Sequence, residues 1–166
     1  GSWDNIRVRT PTFGMLVLLL TSGLIGVLVS LDLLLFYLAW ELMLIPTYFI
    51  IGIWGTGAAT RASLRYVLFT LVGSLLMLVA ILALWDAGGG VSFHVDELQR
   101  IPLGVRAQLL MFGAFFLAFA VKSALVPFHT WLPDAQASAP TFAAVTLGLK
   151  VGVYAILRFA IPLFPA

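Results

Sequence analysis

The chain has 166 residues, of which 62% are hydrophobic and 10% charged, with a formal net charge of +2; its mean hydropathy of +1.11 is far from a soluble domain, where roughly 25% of residues are charged. The composition is that of a bilayer protein. Without cysteine, and with only two histidines, it has no means to build disulfides, thiolate chemistry, cysteine-based zinc or iron–sulfur sites, or most metal cages, and its scattered basic residues match neither a nucleic-acid surface nor a polybasic lipid tract.

In chain order, residues 1–11 read as a polar N-terminal flank and 12–166 as a single transmembrane domain. Gly1-Ser2 lacks the methionine and charged n-region of a secretory signal, and both ends read as cut from something longer. Stretches of about 20 apolar residues, the length that crosses roughly 30 Å of hydrocarbon, predict helices at about 12–29, 33–54, 63–85, 107–127 and 139–163. Only Ser30-Leu31-Asp32 separates the first two, which predicts an antiparallel helical hairpin. Gly55-Thr56-Gly57 ends the second helix, and Asp86 with Gly88-Gly89-Gly90 ends the third. Between 86 and 106 lies the longest polar connection, with His94, Asp96, Glu97, Arg100 and Arg106. Trp54 and Trp85 stand where interfacial aromatics belong. Arg7, Arg9, Arg61 and Arg65 outweigh Arg100 and Arg106, which places the Arg61 side in the cytoplasm or its organellar equivalent.

Glu41, Lys122 and Lys150 fall inside these apolar spans. Each costs about 2.5–3.5 kcal/mol on insertion scales unless a partner, water or a neutral state relieves it. Around Lys150, residues Thr146, Tyr154 and Arg158 recur every four positions and predict a polar stripe on one helix face. Around Glu41, Tyr37 and Tyr48 mark a second stripe, with Pro46 freeing the carbonyl of Leu42; Thr70 and Ser74 supply a milder one. Isolated hydroxyls of this kind generally serve packing and interhelical hydrogen bonds, whereas buried charges point to a transport or relay function or else to ion pairs that fix helix register.

In "AFAVKSALVPFHTWLPDA" (118–135) the prolines Pro127 and Pro133 interrupt the helix that carries Lys122. Pro127 cannot donate to the Ser123 carbonyl, so a polar group is released one turn beyond the lysine, at a depth where only protein or water satisfies it. A lysine beside such a break is poised to gain and lose a proton. His129 would lie on nearly the same face if the helix resumed; the plainer reading is an interfacial histidine with a backbone partner.

These blocks, together with "FYLAWELMLIPTYFIIGIWG" (36–55), "YVLFTLVGSLLML" (66–78) and "LKVGVYAILRFAIPLFP" (149–165), resemble in order and spacing the antiporter-like membrane subunits of respiratory complex I, the NADH:quinone oxidoreductase, and most nearly its chain M or subunit 4 type. The resemblance covers nearly all of this chain and about a third of a family member. It implies an all-α integral membrane fold, with about five transmembrane helices forming one five-helix half of an antiporter-like inverted repeat and a Pro-broken helix near 122–133. It implies that Glu41 modulates its lysine partner, that Lys122 exchanges the pumped proton, that Lys150 passes it on, and that His129 is the histidine of the His-x-Trp-Leu-Pro turn, with Tyr37, Thr146 and Tyr154 as a supporting polar path. Two departures stand out: Gln136 where the family usually has histidine, and a stretch from Pro140 to Lys150 shorter by most of a turn.

On this reading the protein is a proton-translocating fragment in an energy-transducing membrane, most simply the bacterial inner membrane, in contact with lipid and other complex I membrane subunits and with no nucleic acid. It would carry no metal or cofactor; NADH, FMN, iron–sulfur clusters and quinone would belong to partner subunits. The alternatives are a subunit of a multisubunit cation/proton antiporter or membrane-bound hydrogenase, a non-pumping structural segment, and a piece inactive without its second half.

Overall fold

The computed structural model describes residues 9–147 and 151–165, and among these the named elements are all helical. Helix α1 (Thr10–Val29) carries Pro11 in its first turn, where a missing N–H costs nothing. It ends at Ser30, whose amide and hydroxyl both donate to the Gly26 carbonyl. Asp32 then caps α2 (Leu33–Leu42) by accepting from the Leu35 amide at 2.9 Å, which satisfies one of the donors that a helix start leaves open.

The second span is not one unbroken helix. Helix α2 gives way at Met43 to α3 (Leu44–Trp54), because Pro46 has no N–H to offer the Leu42 carbonyl and the Thr47 hydroxyl takes the Met43 carbonyl at 2.7 Å. Taken together, Leu33–Trp54 is long and apolar enough to cross a membrane. An edge-on contact of Phe13 with Trp54, ring centroids 5.2 Å apart, brings the start of α1 to the end of α3, as an antiparallel hairpin requires.

Helix α4 (Ala59–Ala87) has 29 residues, about 44 Å at 1.5 Å per residue, more than the hydrocarbon needs. It starts a turn before the predicted 63, since buried Ala59 and Ala62 extend its packing toward Arg61 and Arg65. At its other end Trp85 stacks on Phe93, centroids 5.4 Å apart and planes within 7°. There the polar connection, with its short α5 (Val95–Leu98), forms an antiparallel bridge between Asp32 and His94. The Leu33 amide donates to the Phe93 carbonyl and the Val95 amide to the Leu31 carbonyl, both at 2.9 Å.

Helix α6 (Val105–Lys122) ends at Lys122, five residues short of the predicted 127. Ala124 adopts a left-handed φ of 51°, and the Leu125 amide reaches back to the Ala120 carbonyl at 2.9 Å, a turn that terminates helices from within. Pro127 therefore follows the break without causing it. A 3-10 turn (Phe128–Trp131) leads into α7 (Leu132–Ser138), with Pro133 in its first turn.

Within the fifth predicted span, 139–163, the described residues form α8 (Thr141–Leu147) and then α9 (Val151–Ala155), a π-helical turn (Ile156–Ala160) and α10 (Ile161–Leu163), the last three running on without a gap. Lys150 lies outside the described residues. Among the described residues, four helices are long and apolar enough to cross a membrane, and Val151–Leu163 is a shorter apolar helix.

Aromatic rings fill the centre. Phe36 meets Phe159 at 4.4 Å and Trp40 meets Phe119 at 5.3 Å, while leucines such as Leu18, Leu68 and Leu110 face outward, as residues against lipid do. Helices α4 and α6 approach closely at Gly73, where an added Cβ would stand 3.3 Å from the Ala118 Cα; small residues permit such backbone approach in membranes. Gly73→Leu should therefore force the two helices apart and cost about 1–3 kcal/mol, seen as a lower thermal midpoint of the detergent-solubilised protein. A midpoint equal to the parent's would contradict that packing.

Candidate functional site

Lys122 is the last residue of α6, so its ammonium stands at the carbonyl-rich end of a helix, where the backbone dipole favours positive charge. Its Nζ donates to the Tyr66 hydroxyl at 3.0 Å. The same nitrogen lies 5.4 Å from the centre of the Tyr66 ring and 5.5 Å from that of Trp40, within cation–π range. Tyr66 and Trp40 are each 1% exposed.

The helix break is sealed by side chains as well as backbone. Trp131 Nε1 donates to the Val121 carbonyl at 3.0 Å, and its ring packs against Tyr66 with centroids 5.2 Å apart. The Trp of the His-x-Trp-Leu-Pro block thus adds a second donor to a carbonyl at the end of α6 that also accepts from the Ala124 amide at 3.1 Å. Arg65 pairs with Asp134 at the surface, fastening the start of α4 to α7.

Beside Lys122 is a cavity of about 30 Å³, room for about two water molecules. Its polar lining comes from Thr47, Tyr66, Lys122, Trp131 and Thr146, and its apolar lining from Leu20, Leu24, Met43 and Val151. Five helical segments and the break thus converge on one lysine.

Glu41, one residue before the end of α2, is near enough to Lys122 to feel its charge, yet no ion pair within 4.0 Å joins them among the described residues. Its Oε1 is sealed from the surface without a hydrogen-bond partner. Tyr37, one turn earlier, and the buried Ser74 of α4 are its polar neighbours.

The sequence-derived candidates separate accordingly. Lys122 and Thr146 share the cavity, and Glu41 and Tyr37 stand together to one side. Thr47 faces the cavity from α3, while Tyr48, expected on the Glu41 stripe, packs edge-on against its neighbour Phe49 at 5.2 Å. Tyr154 donates to the Leu28 carbonyl at 2.8 Å, and Arg158 is exposed on the π-helical turn. His129 is exposed and does not line the cavity, because the chain past Lys122 reverses without resuming its helix. Tyr66, Thr47, Trp40 and Trp131 were not singled out by sequence reasoning. For Tyr66 a signal existed: it precedes Thr70 and Ser74 by one and two turns on the same face.

No cluster of three or more metal-ligating side chains occurs among the described residues.

Comparison with known proteins bears on the family and the fold. NADH-quinone oxidoreductase subunit M of Pseudomonas aeruginosa is 42% identical over 177 aligned positions, covering 99% of this chain and 35% of the relative. Respiratory complex I from Thermus thermophilus with bound NADH superposes with a TM-score of 0.86 at 43% identity, over 92% of this chain and 33% of that one. The Mrp complex of a Dietzia species gives a TM-score of 0.80 at 27% identity, over 90% and 17%. The chain thus spans about a third of the length of the curated relative it matches. Residues 30–166 match the family described as NADH:quinone oxidoreductase/Mrp antiporter, TM, and the chain belongs to that family.

Proposed function

We propose that this chain is part of a proton-translocating membrane subunit of NADH:quinone oxidoreductase. Its place is an energy-transducing membrane, most simply the bacterial inner membrane, beside the other membrane subunits of that complex. NADH, FMN, iron–sulfur clusters and quinone act on partner subunits. The observation that carries this reading is a half-buried lysine at a helix break, opening on a water-sized cavity, with a carboxylate in electrostatic range but out of contact. Greater similarity to complex I than to the Mrp complex favours it over the antiporter alternative.

The separation of Glu41 and Lys122 is the useful variable. Were the two locked in an ion pair, the ammonium would be held in one state; apart, a small approach favours the protonated lysine and a small retreat favours release. Thr146 lines the cavity four residues before Lys150, which supports passage of the proton toward Lys150 on the fifth segment.

In the full-length parent assembled with its partners, Lys122→Ala should abolish proton pumping driven by NADH:quinone electron transfer in inverted vesicles. Undiminished pumping in an assembled complex would remove Lys122 from the path and favour a purely structural segment. Glu41→Gln keeps the shape and removes the charge, so pumping should fall about tenfold or more, within the range for loss of a group that assists proton transfer. A parent rate in that variant would mean that the field of Glu41 does not govern the lysine.

A further inference from the structure

We propose that Tyr66 is the group through which Lys122 exchanges its proton with the cavity, an inference that rests on the proton-transfer reading of Lys122. The Tyr66 ring is buried against Trp131, and its hydroxyl lies 3.0 Å from Lys122 Nζ while lining the same cavity. The ammonium's surroundings otherwise include the faces of two aromatic rings, which attract a cation but accept no proton.

Two other polar groups of the cavity wall, those of Trp131 and Thr47, are occupied in ways that set Tyr66 apart. The indole N–H of Trp131 is a donor only and is committed to the Val121 carbonyl. The hydroxyl hydrogen of Thr47 is committed to the Met43 carbonyl. A phenol both accepts and donates, so Tyr66 can accept from the ammonium and, after its own rotation, donate to the neutral amine. It therefore fits both protonation states of Lys122.

The step balances with a water molecule in the cavity as co-reactant. One N–H bond of the Lys122 ammonium breaks and that proton bonds to the Tyr66 oxygen, while the original Tyr66 O–H bond breaks and its proton bonds to the water. Lysine is left neutral, tyrosine is regenerated, and the positive charge leaves on the water. The reverse sequence reloads the lysine.

The test uses the full-length parent in its assembled complex, with Tyr66→Phe and Lys122→Ala compared side by side. Tyr66→Phe keeps the ring against Trp131 and removes only the hydroxyl; pumping should fall about tenfold or more, as for loss of a proton-transfer group. A parent rate and parent pH profile in Tyr66→Phe, with Lys122→Ala inactive, would overturn the role of Tyr66 alone. Normal pumping in Lys122→Ala would overturn the underlying reading as well. Should Tyr66→Phe assemble poorly, fluorotyrosine at position 66 decides, since it preserves the packing and makes the phenol more acidic. A displaced pH profile of pumping supports transfer through the hydroxyl, and an unmoved one overturns it.

Discussion

A positive charge inside a bilayer has to be held by whatever polar groups the surrounding helices leave open, and the end of α6 supplies them. A helix terminus normally exposes its last carbonyls, which at membrane depth is costly. Here the Phe119 carbonyl accepts from the Ser123 amide at 2.8 Å, the Ala120 carbonyl from the Leu125 amide, and the Val121 carbonyl from both the Ala124 amide and the Trp131 indole. The break is therefore closed by protein, while the dipole of α6 still favours the ammonium at its tip. Lys122 is thus held by the helix end, the Tyr66 hydroxyl and two aromatic rings, with no carboxylate within 4.0 Å among the described residues.

The surrounding architecture follows from protecting that arrangement. Trp40, Tyr66 and Trp131 form an aromatic enclosure drawn from three separate elements, α2, α4 and the 3-10 turn. Helix α4 contributes twice, through Tyr66 toward the lysine and through Ser74 toward Glu41. Its close approach to α6 at Gly73 keeps these two groups at the right depth. The cavity left between the rings and the hydroxyls has room for about two water molecules, with the Lys122 and Tyr66 polar groups in its wall.

Much of this was legible in the sequence. Apolar run lengths gave the crossing helices, the Ser30-Leu31-Asp32 turn gave the hairpin, and an ionisable residue beside prolines marked Lys122 and its break. What escaped has physical causes. The stop at Lys122 rests on a left-handed Ala124, which carries none of the glycine signal expected at such a turn. Thr47 lines the cavity from α3, yet a lone threonine in an apolar helix reads as a packing or interhelical hydrogen-bond residue. Tyr66 resembled any membrane tyrosine until Lys122 was found opposite it, 56 positions away, a distance no local pattern spans. Within the fifth span the π-helical turn at Ile156–Ala160 was not legible, since its extra residue per turn has no periodic signature of its own.

The distribution of stiffness follows from the backbone pairing between 31–33 and 93–95. At that end of the bundle, the hairpin of the first two spans is laced to the connection that follows α4, so sliding there would sever main-chain bonds. The helical ladder is interrupted elsewhere, at Met43 and Ala124. Each interruption lies two residues beyond one of the two ionisable residues, Glu41 and Lys122, so both stand beside a break in their own helix, while the opposite end of the bundle is tied by main-chain pairing.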